Sequence, residues 1–278
     1  MTEVSGRNAY MAMQKDAYTA LPMWTLTSRE LVRFYRQRSR VIGALGTPIL
    51  FWLFLGSGLG AAFPAPSTPG GKGFIEYFFP SNLVLVLLFT AIFSTISIIE
   101  DRREGFLQSV LVAPVTKLGL VGGKVWGGAI LAIIQGLLFL AFAPAAGIHL
   151  GLAGTGAALL SMLVMSLTLT ALGFLFAWKF NSVQGYHSIM NLVLFPMWLL
   201  CGSFFPVSKA PVWLQPVMYA NPLTYGLASL KDALYWGADV QTPGVPGYWT
   251  SILVTLAFGA VFCFISIVLV SRRSPEEL

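Results

Sequence analysis

The chain alternates between long apolar stretches and short charged ones. Six windows contain no Asp, Glu, Lys or Arg, and they are 23, 23, 23, 26, 18 and 22 residues long. They cover residues 41–63, 77–99, 125–147, 152–177, 188–205 and 249–270. A helix needs about 20 apolar residues to cross the ~30 Å hydrocarbon core of a bilayer. Each window therefore predicts a membrane-spanning helix, and the predicted fold is an all-α polytopic membrane protein with six transmembrane helices.

A charged segment, residues 100–124, separates the second window from the third. Read as a helix from Arg102 to Ala113, it has one narrow apolar face, and Pro114 ends it. At about 1.5 Å per residue this helix is roughly 15–18 Å long, about half of what a span needs. The apolar positions are Phe106, Leu107, Val110 and Leu111, and the polar ones are Arg102, Arg103, Glu104 and Gln108. We therefore expect a helix at the membrane surface that a soluble partner contacts.

A second amphipathic pattern precedes the first window, over residues 24–40. One side is a basic stripe made of Arg29, Arg33, Arg36 and Arg40, and the opposite side carries Trp24, Leu31, Phe34 and Tyr35. This pattern is typical of a helix in the membrane interface, with its rings in the acyl boundary and its guanidinium groups on lipid phosphates. A solvated helix ahead of a span is the alternative. Arg38 falls on the apolar side and would have to extend toward the headgroups.

Composition and the positions of the basic residues define the class and the orientation. Hydrophobic residues make up 56% of the chain and charged residues 10%, and the mean hydropathy is +0.75. Soluble domains carry about 25% charged residues, so an ordinary soluble domain is excluded. Lys and Arg are retained on the cytoplasmic side of membrane proteins. With the amino terminus inside, 14 of the 17 Lys and Arg residues fall on inner segments, and the outer ones are Lys72, Lys209 and Lys231.

This orientation places both terminal tails, residues 1–23 and 271–278, in the cytoplasm. The net charge of +6 then reflects the inner loops and anionic headgroups, so no nucleic acid is expected as a partner. No cleavable signal peptide is expected, because residues 1–22 lack a continuous apolar core. A bacterial-type inner membrane is the expected location.

The sequence offers little catalytic chemistry. Cys201 and Cys263 lie inside predicted spans, where a thiol behaves as a small hydrophobe. His149 falls on the outer side and His187 on the inner side, so ~30 Å of membrane keeps them from sharing a metal. None of the eleven acidic residues lies inside a window. We therefore predict no catalytic or metal site, and an ion-coupled carrier would lack its usual coupling carboxylate, although sodium held by backbone and hydroxyl oxygens stays open.

The chain does not carry a nucleotide site of its own. The segment from Gly119 to Lys124 resembles a phosphate loop superficially, but Val125 follows the lysine where Ser or Thr is required. The glycines at 119, 123 and 127 recur every four residues, which is typical of close helix packing. Energy from ATP would therefore have to come from a separate subunit.

Two segments carry motifs at matching topological positions. The first contains Phe106, Leu107 and Leu111 and ends in Pro114-Val115; the second contains Gly202–Pro206, Pro211–Leu214 and Asn221–Tyr225, whose last five residues read Asn-Pro-Leu-Thr-Tyr. Together they resemble the type-2 ABC exporter permeases, the family of the daunorubicin-resistance and nodulation-factor exporters. The family has a Leu-Leu-x-x-Pro-Val-like turn after span two, and Val110 replaces its first Leu here. The resemblance covers roughly residues 24–273.

This resemblance implies a specific assembly. Family permeases pair as dimers, which here implies a homodimer, and two separate ATP-binding subunits dock below them. ATP and magnesium would then bind the partner subunits, and this chain would bind no cofactor. ATP-driven closure passes to the membrane through the helix after span two. The coupling residues implied here are Glu100, Arg102, Arg103, Glu104, Gly105, Phe106, Leu107, Val110 and Leu111.

The family also folds the connection between spans five and six as short re-entrant helices. Four prolines between residues 206 and 222 would break any long helix there, yet the stretch stays apolar. The gate residues implied are Pro206, Trp213, Asn221, Pro222 and Tyr225. Pro222 biases Asn221 away from the helical region, so we expect the Asn amide to hold backbone groups at the start of the next helix. An ordinary outer loop is the alternative.

The predicted function is the permease subunit of an ATP-driven exporter. A hydrophobic, drug-like or lipid-linked substrate is favoured, with a path along the rings of Phe89, Phe93, Phe195 and Trp198. A polysaccharide or lipo-oligosaccharide exporter of the same family is the alternative. Outside that family, an ion-coupled carrier and a membrane assembly protein without cargo also remain.

Overall fold

The computed structural model describes residues 19–34, 36, 38–62, 73–113, 115–238 and 244–272, and this part of the chain is helical without a β-strand. Helix α1 covers residues 19–34. The following helices are α2 (Arg38–Ala62), α3 (Phe74–Ser94), α4 (Ile96–Arg103), α5 (Phe106–Val112), α6 (Lys117–Leu140) and α7 (Leu152–Ala177). The carboxyl-terminal part contains α8 (Val183–Trp198), a π-helical turn (Leu199–Ser203), a 3₁₀ turn (Val207–Lys209), α9 (Gln215–Tyr219), α10 (Pro222–Leu234) and α11 (Tyr248–Arg272).

Four helices of the described chain are long and apolar enough to cross a membrane. They are the continuous pair α3–α4, α6, α7 and α11, which match the second, third, fourth and sixth apolar windows. The first window lies in α2, whose apolar part is Leu45–Gly58. The fold is thus that of a polytopic helical membrane protein, whereas the count of six spans stays a prediction. The tails 1–18 and 273–278 lie outside the described residues.

The fifth window differs from a regular span. Helix α8 has 16 residues, contains Pro196, and ends at Trp198. The π-helical turn follows, and Gly202 interrupts it with a φ of 96°. Glycine adopts this left-handed conformation without steric cost, so the chain changes direction here. The fifth window therefore forms a short helix and a turn.

Helix α3 is the centre of the bundle and packs against α2, α6, α7 and α10. Its most apolar stretch is 89% buried inside the chain, whereas that of α11 is 22% buried. A helix that is apolar all round belongs in an interior or in lipid. Helix α3 lies in the interior of the bundle. Helix α11 instead leaves Leu253, Leu256 and Phe264 exposed, where lipid or another chain can cover them.

Small residues let α6 approach its neighbours closely. A Cβ atom at Gly136 would lie 2.6 Å from side-chain atoms of Leu87 on α3 and Met162 on α7. At Gly128 it would lie 2.3 Å from the Ser94 hydroxyl. Such contacts are typical of membrane helices, where close backbone approach replaces the hydrophobic effect as the source of packing.

Candidate coupling site

The charged segment after α3 forms two helices joined by a glycine. Helix α4 ends at Arg103, Gly105 has a φ of 74°, and α5 runs from Phe106 to Val112. The predicted single helix from Arg102 to Ala113 is therefore wrong, because the left-handed glycine ends one helix and starts the next. A short helix between the second and third apolar windows is present, as predicted. Pro114 lies outside the described residues.

At the end of the bundle that the sequence predicts to be cytoplasmic, called the inner end, Asp101 of α4 is the centre of a charged cluster. Its carboxylate accepts hydrogen bonds from both terminal nitrogens of Arg29, at 2.9 and 2.8 Å, and from Arg33 at 2.8 Å. It also accepts one from the ammonium group of Lys124. A bidentate arginine–carboxylate pair is among the strongest polar contacts in proteins. The hydrogen bonding between Arg29 and Asp101 raises the pKa of Arg29 above its ordinary value, although the partial burial of Arg29 acts in the opposite direction.

Lys124 brings α6 into the same cluster. Its side chain is 2% exposed, and its Nζ lies 2.5 Å from Glu30 Oε1 and 3.2 Å from Ser97 Oγ. A buried ammonium group requires opposite charge and hydrogen-bond acceptors. Glu30 of α1 and Asp101 of α4 supply both, so the charged cluster (Arg29, Glu30, Arg33, Asp101 and Lys124) joins three helices.

The charged cluster also contacts the start of α5. The Arg29 guanidinium lies 3.8 Å above the centre of the Phe106 ring. Arg33 forms further ion pairs with Glu100 at 3.0 Å and Glu104 at 3.4 Å. Helix α1 is therefore connected to both halves of the α4–α5 turn.

Arg102 points into the bundle, in contrast to its predicted role as a polar contact for a partner. It donates hydrogen bonds to the carbonyl oxygens of Trp178, at 2.8 Å, and Phe180, at 3.2 Å, and to Asn181 Oδ1 at 2.9 Å. A cation is favourable here because the carbonyl groups that end α7 are otherwise unpaired. Arg102 thus ties α4 to the inner end of α7.

The apolar residues of α5 also face this chain. Leu107 is 1% exposed, and Phe106 and Val110 pack on the main core. Leu107 is therefore not accessible to another subunit in this conformation, whereas Phe106 and Val110 are partly exposed, and the docking role of this apolar face stays a prediction. The side chain of Leu111 lies outside the described residues. The exposed positions of the turn are Arg103, Glu104, Gln108 and Ser109.

Helix α1 is present, but its basic stripe is divided between two environments. Arg29 and Arg33 bind acidic residues of α4, so the prediction that they contact lipid phosphates is wrong for these two. Arg36 and Trp24 are exposed. The side chain of Arg40 lies outside the described residues. The difference arises because the fold brings carboxylates of α4 within reach of Arg29 and Arg33.

The other side of α1 packs on the glycines of α6. A Cβ atom at Gly123 would lie 2.9 Å from Leu26 Cβ, and one at Gly127 would lie 3.0 Å from Glu30 Cβ. The Thr27 hydroxyl donates to the carbonyl oxygen of Gly123 at 3.1 Å. The predicted packing role of these glycines is confirmed, and the helix that they accommodate is α1.

At the opposite end of the bundle, which the sequence predicts to lie outside and which is called the outer end, Asn221 caps α10 as predicted. Its Oδ1 accepts from the backbone N–H of Leu223 at 3.0 Å, and Pro222 occupies the first helical position. The amide Nδ2 also donates to the carbonyl oxygen of Met197, in α8, at 2.6 Å. Asn221 thus joins α10 to α8.

The other residues of the predicted gate have different environments. Pro206 precedes the 3₁₀ turn, Trp213 is exposed, and Tyr225 is partly buried 6.4 Å from the Phe258 ring. The stretch forms short helices followed by α10, which is buried among α3, α7 and α11. Re-entry into the membrane stays a prediction.

The four rings of the predicted substrate path form two pairs, with Phe89 and Phe93 5.4 Å apart and Phe195 and Trp198 5.9 Å apart. Trp198 is fully buried among Phe51, Phe78 and Phe204, and its indole N–H donates to the Ser81 carbonyl at 2.7 Å. It therefore has a packing role. Phe195 is exposed. Phe89 and Phe93 line a cavity of about 260 Å³.

Comparison with known proteins gives a consistent result. Residues 22–235 match the family described as ABC-2 type transporter. The inner membrane transport permease YhhJ of Escherichia coli (strain K12) is 26% identical over 175 residues, which are 62% of this chain and 45% of that protein. The daunorubicin resistance ABC transporter permease protein DrrB1 of Streptomyces coeruleorubidus is 22% identical over 275 residues, 95% of this chain and 91% of that protein.

The probable doxorubicin resistance ABC transporter permease protein DrrC of Mycobacterium tuberculosis (strain H37Rv) is 24% identical over 265 residues, 90% of this chain and 88% of that protein. The match thus spans nearly the whole of both drug-resistance permeases. It covers about half of the Escherichia coli relative, at 45%.

Proposed function

This chain belongs to the ABC-2 type transporter family, as its motifs predicted, and we propose that it is the membrane subunit of an ATP-driven exporter. In this proposal two copies of the chain lie in a bacterial inner membrane. Two separate ATP-binding subunits, which bind ATP and magnesium, dock on the cytoplasmic side. The chain itself carries out no catalysis.

The α4–α5 turn is the observation that carries this proposal. It projects from the end of a membrane-spanning helix and exposes Arg103, Glu104, Gln108 and Ser109. A partner that pushes on this surface moves α4, which continues into α3. Well-packed elements transmit such displacements because protein interiors have low compressibility.

Three contacts carry a movement of the turn to other helices. Phe106 passes it to Arg29 of α1, Asp101 passes it to Lys124 of α6, and Arg102 passes it to the end of α7. The turn is thus connected to three further helices besides α3. A rigid connection of this kind suits a role in coupling.

The placement of charge supports an external energy source. Within the described part of the four long helices, Asp, Glu, Lys and Arg side chains are confined to the first residues of α3, the first third of α6, and the carboxyl ends of α4 and α11. Carriers driven by protons or sodium typically need such a group near the centre of the bilayer. ATP-driven export therefore fits these helices better than an ion-coupled carrier.

A hydrophobic, drug-like or lipid-linked molecule is the proposed substrate. Two relatives that match nearly the full chain are named as daunorubicin and doxorubicin resistance permeases. The apolar interior of the bundle is consistent with that chemistry. A polysaccharide or lipo-oligosaccharide cargo is the alternative within the family.

Reconstitution tests this proposal. The chain is purified with the ATP-binding subunit that co-purifies from its native membrane, and both are placed in liposomes. We expect daunorubicin to accumulate inside the vesicles when ATP is present outside. An ATP-binding subunit with its phosphate-loop lysine changed to alanine is the matched control. Uptake by this chain alone, driven by an ion gradient and indifferent to ATP, would contradict the proposal and favour a carrier.

A further inference from the structure

A cavity of about 260 Å³ lies at the junction of α1, α2, α3, α4 and α8. It sits in the half of the bundle that contains the charged cluster, since its α3 wall is the last turn before α4. The lining residues that matter here are Phe34, Gly43, Phe89, Thr90, Phe93 and His187.

Aromatic rings form one wall of this cavity. The Phe89 and Phe93 rings lie 5.4 Å apart, and the His187 ring lies 4.7 Å from that of Phe93. Among the described lining residues none is Asp, Glu, Lys or Arg. Rings at these distances stack well on a flat aromatic group, and the absence of charge from this lining favours an uncharged one.

Thr90 supplies a polar atom that lacks a partner. Its side chain is 2% exposed, and its hydroxyl has no hydrogen-bond partner among the described residues. Buried threonines of α7 behave differently, because Thr168 donates to Val164 O at 2.9 Å and Thr170 to Ser166 O at 2.7 Å. A buried hydroxyl is normally paired, so an acceptor on a bound molecule would complete the site.

We propose that this cavity binds the planar aromatic part of a small amphipathic molecule, which stacks on Phe93 and accepts a hydrogen bond from the Thr90 hydroxyl. The inference rests on the proposed function, because such a molecule would be cargo entering from the inner half of the bundle. Ligand pockets usually measure about 300–1,000 Å³, so this cavity takes the rings and leaves the remainder of the molecule outside. A lipid acyl chain would fill the space without pairing Thr90.

The glycines of α2 provide a variant that fills the cavity and a matched control. A Cβ atom at Gly43 or at Gly46 would meet nothing within 4 Å, so a side chain can begin at either position without a clash at its first atom. Gly43 lines the cavity, and Gly46 is not among its lining residues. Gly43→Phe and Gly46→Phe therefore make the same chemical change on the same helix, but only the first places a ring in the cavity.

Daunorubicin is the probe, because its fused planar rings carry carbonyl acceptors and it is fluorescent. Its binding to the purified full chain in lipid nanodiscs is followed by fluorescence anisotropy, with empty nanodiscs as background. We expect Gly43→Phe to weaken binding at least about tenfold and Gly46→Phe to leave it within about twofold of wild type. Thr90→Val removes one hydrogen bond and should weaken binding roughly three- to tenfold. Melting temperature checks that all three variants are folded.

Three results would overturn the inference. One is equal weakening by Gly43→Phe and Gly46→Phe, and another is an absence of saturable binding to the wild-type chain. The third is a phospholipid that mass spectrometry finds retained by wild type, lost in Gly43→Phe and not displaced by daunorubicin. ATP-driven uptake by the reconstituted complex separates the two proposals. If the complex still shows ATP-driven uptake while Gly43→Phe binds daunorubicin normally, the proposed site is wrong and the exporter proposal stands. If daunorubicin binding follows the prediction but the complex shows no ATP-driven uptake, the exporter proposal is wrong.

Discussion

The inner and outer ends of the bundle are held by different kinds of contact. At the inner end, Asp101 and Lys124 join α1, α4 and α6 through buried charges. At the outer end, Trp198 is enclosed by rings, and Asn221 binds backbone groups of α8 and α10. We therefore expect stability to depend most on side-chain charge at the inner end, and most on side-chain shape at the outer end.

This difference bears on what each end can do. A network of paired charges has definite partners, so moving one helix either carries the others with it or leaves a charge unpaired at high cost. Ring packing depends on contact and on edge-to-face geometry, so a displacement there reduces favourable contact without separating opposite charges. The charged cluster is thus suited to passing a movement from α5 to the spans. The outer end also contains charged side chains, since Glu76 is buried and the Lys231 ammonium donates to the carbonyl oxygen of Gly202 at 3.3 Å, but Trp198 and Asn221 are held by rings and by neutral hydrogen bonds.

Asp101→Asn is expected to have the largest effect. It leaves Lys124, Arg29 and Arg33 without the carboxylate that they share, and breaking a buried ion pair costs about 3–5 kcal/mol. Glu104→Gln is the matched control, because Glu104 is 59% exposed and exposed pairs contribute about 0–1 kcal/mol. Thermal unfolding in detergent measures both. Equal losses of stability in the two variants would show that the buried charge of Asp101 is no more important for stability than the exposed charge of Glu104.

A double variant sharpens that test. Asp101→Asn combined with Lys124→Met removes both members of one buried pair, so we expect its loss of stability to be smaller than the sum of the losses in the two single variants. Additive losses would show that the two residues do not interact.

Trp198→Phe probes the outer end in the same assay. The change removes the indole N–H that binds Ser81 O and leaves a small gap between the neighbouring rings. We expect a loss of about 1–3 kcal/mol, with stimulation of the ATP-binding subunit preserved. Phe195→Leu, at an exposed ring, is the control and should cost less. Loss of ATPase stimulation in Trp198→Phe would mean that the outer end also takes part in coupling.

Asn221→Leu is expected to be the mildest of the three single changes in stability. Loss of a helix cap costs about 0.5–2 kcal/mol, and Asn221→Ser, which keeps a capping oxygen, should cost less. Because α10 loses its tie to α8, export should fall more than ATPase docking does. Export and co-purification of the ATP-binding subunit are measured on the same preparation. Parallel loss of both would contradict a role confined to the outer end.

Local patterns in the sequence predicted what depends on local interactions. Apolar windows gave the long helices because lipid and core both demand apolar side chains, and the Asn-Pro pair at 221 predicted its own cap. The glycine repeat of α6 predicted close packing without naming α1 as the neighbour.

The charged cluster could not be predicted in this way. Lys124 and Glu30 are 94 residues apart, and a basic stripe looks the same whether it faces lipid phosphates or carboxylates of its own chain. One signal was available, since the acidic Glu30 directly follows Arg29 in the sequence of α1. Gly105 was likewise visible, but the apolar repeat around it favoured one continuous helix.

Photocross-linking from α5 tests the central claim, that the exposed face of the α4–α5 turn docks on an ATP-binding subunit. A photoreactive phenylalanine derivative replaces Ser109 in the full complex, and Val212, which is exposed on the outer connection, is the matched control. We expect a cross-link from position 109 to the ATP-binding subunit that changes when ATP is added, and none from position 212. A cross-link from position 212, or none from position 109 while the complex remains assembled, would contradict the account.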